Sequence, residues 1–90
     1  MFELNKTFVV TQEKGIHFRS MVKIKEICTT HDVDLVIRKE STQKQAEFAN
    51  TMGVLLLCIL QGDEVKFSIA GKSQNSVDLA AESLKLAFAT

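Results

Sequence analysis

The stretch Glu64-Val65-Lys66-Phe67-Ser68-Ile69-Ala70 alternates polar and apolar side chains from Glu64 to Ile69. Successive side chains of an extended strand point to opposite faces, so Val65, Phe67 and Ile69 share one face and Glu64, Lys66 and Ser68 the other. A strand with one apolar and one polar face fits an antiparallel sheet that is covered on one side and wet on the other. Residues 3–10 repeat the pattern: Leu4, Lys6, Phe8 and Val10 share a parity, and Phe8-Val9-Val10 adds β-propensity.

Between these two strands the period changes. From about Arg19 the apolar residues Met21, Ile24 and Cys28 fall at i, i+3 and i+7, which predicts an amphipathic helix fading near Thr29-Thr30-His31. Asp34 to Lys39 reads as a strand, Glu40-Ser41-Thr42 as a turn, and residues 43–48 as a weaker strand. Asn50 is a good N-cap for a helix running through Leu60, stopped by Gln61-Gly62-Asp63, where Gly62 suits a left-handed cap. After the loop Gly71-Lys72-Ser73-Gln74, a last helix carries Val77, Ala80, Ala81, Leu84 and Phe88 on one face. The order is βαββαβα, an α+β domain with a four-stranded antiparallel sheet and three helices on one face.

With 90 residues, the chain is expected to form a single domain over 1–90. Apolar residues make up 46 %, enough for a packed core. Eleven basic residues balance eleven acidic ones, which argues against nucleic acid as a partner. Two cysteines are too few for a disulfide scaffold. Met1 to Lys6 has no basic segment followed by an apolar one, so no signal peptide is read. The longest apolar run, Met52 to Leu60, is far short of the ~20 residues that cross a bilayer. The expectation is a cytoplasmic, soluble monomer without membrane insertion.

Gly15-Ile16-His17-Phe18-Arg19-Ser20 lies where the first loop becomes the first helix. The opening turn of a helix has unpaired N–H groups and a partial positive charge, which suits an anion such as phosphate. An imidazole titrates near pH ~6.5, so much of it is neutral and nucleophilic at cell pH. Arg19 offers a planar fork of donors to phosphate oxygens, and Gly15 permits a sharp turn before the histidine. The bland alternative is a surface histidine beside an unrelated arginine.

Met52 to Leu60 is apolar all round. A short helix on a single sheet cannot be buried all round, so one face should be core and the other a contact surface. Met52, Leu55, Leu56 and Ile59 form one face, and Val54, Leu57 and Cys58 lie opposite. A docking patch, a dimer interface and a helix tucked under a loop all remain open.

The chain resembles the HPr family, the histidine-containing phosphocarriers of the bacterial phosphoenolpyruvate-dependent sugar phosphotransferase system. The resemblance covers nearly the whole chain and rests on G-I-H-x-R at 15–19, M-G-V at 52–54, Q-G-D-E-V at 61–65, the element order and the length. It implies an open-faced β-sandwich. His17 aligns with the phosphoryl acceptor, which in the family takes phosphate on Nδ1 from enzyme I and donates it to the A domains of sugar permeases. Arg19 aligns with the phosphate-stabilising arginine. Phe18, Ser20, Val22, Met52, Leu55 and Leu56 fall on the implied docking surface, which puts Met52 and Leu55 outside and Val54 and Leu57 inside. Many relatives carry a kinase-regulated serine where Asn50 stands, so no regulation of that kind is expected here.

No cofactor or metal is implied, and the chain is expected to be a stoichiometric carrier rather than an enzyme. Cys28-x-x-His31 looks like half a zinc site, but Cys28 continues the apolar stripe and reads better as a small core residue. Ser20 stands where the family usually has Pro, and Phe18 where it has a small residue. These departures motivate an alternative function: an HPr-like regulatory or interaction module, phosphorylated or docking only, that does not serve sugar transport.

Overall fold

The structure, a computed structural model, describes residues 1–88. Its elements are β1 (Phe2–Val9), α1 (Phe18–His31), β2 (Val33–Lys39), β3 (Lys44–Glu47), α2 (Thr51–Leu56), β4 (Glu64–Gly71) and α3 (Gln74–Phe88). The four strands form one antiparallel sheet in the order β1-β4-β2-β3. The βαββαβα order and the antiparallel sheet are those read from the sequence.

Register explains why one sheet face is dry. Leu35 and Leu4 both pair with Ile69, Ile37 with Phe67, and Phe8 with Val65, so the apolar positions of three strands form adjoining rows. Val65, Phe67, Ile69 and Ile37 are fully buried, and Phe8 meets Phe67 edge-on with ring centroids 4.8 Å apart. Edge-to-face geometry sets the positive ring edge against the negative ring face. Glu64 is exposed on the opposite face, and Lys66 and Ser68 are half-buried there. Lys6 shares the parity of Leu4 and Phe8 but is exposed, because β1 is an edge strand.

On α3, Val77, Ala80, Ala81, Leu84 and Phe88 are all buried, as their spacing predicts. Its first turn is tied by Ser73, whose Oγ accepts the Ser76 N–H at 3.1 Å. The buried stripe of α1 is Ser20, Met21, Ile24 and Ile27, with Cys28 half-buried at its margin. Burial and, less strongly, the negative charge of Asp34 push the Cys28 thiol up to about 11, which keeps it protonated and unreactive. His31 closes the last turn of α1.

The expected helix from Asn50 through Leu60 is shorter. It ends at Leu56, and Cys58 takes the left-handed conformation, φ 52°, in place of the expected Gly62 cap. The cause is visible in the hydrogen bonds. Leu57 N–H reaches back to Val54 O and Cys58 N–H to Leu55 O, both at 3.1 Å, so the helix tightens and stops. Had it continued, Ile59 would have shared the exposed side of Met52 and Leu56. The break instead turns Ile59 into the core beside Val54 and Leu57. Gly62, φ 91°, serves the turn into β4 and donates its N–H to Val10 O at 2.8 Å.

Candidate phosphoryl-acceptor site

The loop between β1 and α1 is held at both ends. At its start, Thr11 N–H and the Gln12 side-chain amide donate to the last carbonyls of α3, those of Phe88 and Ala87, each at 2.8 Å. These carbonyls lack intrahelical partners, so the loop satisfies them and gains a fixed seat. Further along, Ile16 N–H donates to Ile59 O at 3.0 Å. Gly15 is buried between these points with φ 66°. A Cβ there would collide with the Ile59 carbonyl oxygen and lie 2.7 Å from Leu60 Cα, so only glycine lets the loop approach the segment after α2. That segment is braced from below. Lys39 Nζ donates to Cys58 O at 2.9 Å and pairs with Asp63 at 3.5 Å, while Asp63 Oδ2 accepts the Leu60 N–H at 2.8 Å.

His17 is the N-cap of α1, half-buried, with extended backbone (φ −133°, ψ −175°). Its carbonyl accepts the Met21 N–H at 3.0 Å, and its ring nitrogen Nδ1 accepts the Arg19 N–H at 3.2 Å. A nitrogen that accepts an N–H is bare, so in the neutral ring the proton belongs to Nε2 and the lone pair to Nδ1. That lone pair stands at the positive end of a fourteen-residue helix. The first-turn N–H groups of Phe18 and Ser20 have no intrahelical acceptor. The Arg19 side chain is exposed and makes no ion pair among the described residues. The helix mouth can therefore present a nucleophilic nitrogen, backbone donors and a guanidinium to one anion.

The structure brings part of the expected docking set to the surface. Phe18, Val22, Met52 and Leu56 are 60–72 % exposed. Val54 and Leu57 are buried, as the implied orientation of α2 requires. Two residues differ from expectation. Ser20 is buried, because it sits on the same stripe of α1 as Ile24 and Ile27; its Oγ donates to Gly15 O at 3.3 Å and faces inward. Leu55 is half-buried and leans on the core. Leu60, 61 % exposed and with its backbone against Gly15, was not expected there. Its signal was Asp63 three residues on, whose carboxylate caps the Leu60 N–H and turns the chain. Asn50 caps α2 by accepting the Gly53 N–H on Oδ1 at 3.0 Å. Gly53 fits because a Cβ would meet that amide at 2.6 Å.

Among the described residues no group of three or more His, Cys, Asp or Glu is placed to hold a metal ion. None of their helices is long and apolar enough to cross a membrane.

An open-faced antiparallel sandwich with a histidine at the mouth of its first helix is the architecture of the small histidine phosphocarriers. The family model described as the PTS HPr component phosphorylation site matches residues 4–89, and the chain belongs to this PTS-HPr family. Three solved structures share the fold. The phosphocarrier protein HPr from Bacillus anthracis str. Ames superposes with a TM-score of 0.79 at 20 % identity, covering 96 % of both chains. A Mycoplasma histidine-containing phosphocarrier protein gives 0.71 at 16 % identity, over 91 % of this chain and 92 % of that one. HPr-C-His from Thermoanaerobacter tengcongensis gives 0.72 at 20 % identity, over 100 % and 98 %.

Proposed function

We propose that the chain carries phosphoryl groups on His17 in a phosphotransferase system, taking them from phospho-enzyme I and passing them to the A domains of sugar permeases. The observation that carries this reading is His17 Nδ1, bare and held at the mouth of α1 by the Arg19 N–H at 3.2 Å. In the transfer, the Nδ1 lone pair attacks phosphorus in line with the bond to the donor. The Nδ1–P bond forms as the donor–P bond breaks, and the donor keeps that electron pair. For the Nδ1 lone pair to be free, the Arg19 N–H leaves Nδ1 for a phosphoryl oxygen as phosphorus approaches, and neighbouring first-turn amides and the Arg19 fork take up the remaining charge. Onward donation runs the same step in reverse toward the permease domain. No metal or bound cofactor enters, since helix dipole and guanidinium supply the positive charge.

Phe18, Val22, Met52 and Leu56, with Leu60 added, form the proposed docking surface. Exposed apolar side chains around the acceptor suit brief contacts of modest area. Met52 contributes an adaptable side chain for more than one partner.

Incubation with phosphoenolpyruvate and enzyme I tests the reading. The protein should gain one acid-labile phosphate that His17→Ala loses, and Arg19→Ala should slow the gain while the melting temperature stays put. Binding to enzyme I without phosphate uptake would favour a regulatory docking module instead. Neither binding nor uptake would reject both readings.

A further inference from the structure

Ser20 is the buried polar residue of the described core: 9 % exposed, on the same stripe as Met21, Ile24 and Ile27. A hydroxyl in that position needs a partner, because an unpaired one is costly to bury. Its partner is the Gly15 carbonyl, which the Ser20 Oγ–H reaches at 3.3 Å across five residues. The amide side of this turn is fixed separately, Gly15 N–H by Gln12 O and Ile16 N–H by Ile59 O, both at 3.0 Å. The carbonyl side is held by Ser20 alone among the described residues. The chain enclosed between Gly15 O and Ser20 Oγ includes both partners of the contact from Arg19 N–H to His17 Nδ1.

We propose that Ser20 is a positioning residue for the phosphoryl acceptor: its buried hydroxyl fixes the turn Gly15–His17 and so holds the His17 ring with Nδ1 at the helix mouth. The proposal rests on the reading of His17 as acceptor, but part of its test does not. Without the hydroxyl the Gly15 carbonyl is released, the turn rotates, and the ring exchanges between its two neutral tautomers.

Nitrogen NMR of the His17 ring, well above neutral pH, reads this in the free protein. Wild type and Ser20→Thr should show a bare Nδ1 and a protonated Nε2, whereas in Ser20→Ala the two resonances should move toward each other. Phosphate uptake from phosphoenolpyruvate and enzyme I should slow roughly tenfold in Ser20→Ala, as small misplacements of a reacting atom do, and Ser20→Thr should restore most of it. If Ser20→Ala fails to fold, Ser20→Thr and Ser20→Val, equal in shape and different in the hydroxyl, carry the same comparison. Wild-type resonances and rate in the variant lacking the hydroxyl would overturn the proposal. A wild-type protein that takes no phosphate would overturn the acceptor reading, and the ring resonances would then decide the role of Ser20 by themselves.

Discussion

His17 fills a role that serine, threonine and aspartate usually fill. Those residues cap a helix by offering an oxygen to a first-turn N–H, and here an imidazole nitrogen makes the offer. The consequence is chemical as well as structural, since the cap that orients the ring leaves Nδ1 bare. A histidine at the mouth of a helix was legible from G-I-H-x-R; its capping bond was not, because histidine is not among the usual capping residues. The burial of Ser20 was not legible: Arg19 before it is exposed and its own side chain is polar, and only the 3.6-residue period, aligning it with Ile24 and Ile27, turns it inward. Cys28 gives a pH prediction at this scale. Its folded-state pKa, about 11, lies above the ordinary thiol value of 9.0. The unfolded chain therefore loses its thiol proton first, and stability that is fully present below pH 9.0 falls as pH rises toward 11. Denaturant titrations across this range should show the fall in the wild type and a smaller one in Cys28→Ala. Equal slopes would mean the thiol is not shielded.

Among the elements, α2 departs most from its sequence pattern. Nine successive apolar residues invite a helix to Leu60, and helical periodicity cannot locate a break inside a run that is apolar on every side. Tertiary demand supplies the break, since Ile59 must enter the core and its carbonyl must receive Ile16. A six-residue helix depends heavily on its cap. Asn50→Ala should cost about 1 kcal/mol in chemical denaturation and speed hydrogen exchange at the Gly53 amide, with no change at β4. An unchanged Gly53 amide would contradict the capping role. Met52 lies on the exposed side of this helix, so Met52→Asp should weaken binding to enzyme I while shifting the melting temperature by no more than a few degrees, within the ±0.5 kcal/mol typical of surface changes. Unfolding in place of weakened binding would mean that Met52 belongs to the core.

For the molecule as a whole, one sheet face supports the entire construction. Phe67 is fully buried on the central strand β4, pairs in register with Lys6 and Ile37, and meets the ring of Phe8. Phe67→Ala should cost about 3–5 kcal/mol, a large share of the ~5–15 kcal/mol that domains possess. Lys66→Ala, one residue away on the open face, should stay within about 0.5 kcal/mol. Comparable losses from both would contradict a one-sided sandwich. This asymmetry is legible in Glu64–Ala70 alone, because a period of two has only two faces to assign. The sheet order was not, since strand neighbours depend on crossovers that a local pattern does not encode. With one face covered by helices, the mouth of α1 stays open to solvent and partners.

The most direct test is phosphorus–nitrogen coupling in protein labelled at its histidine ring nitrogens and charged by phosphoenolpyruvate and enzyme I. The account predicts one phosphate, bonded to Nδ1 of His17. Phosphate on Nε2, on His31 or on no histidine would contradict it.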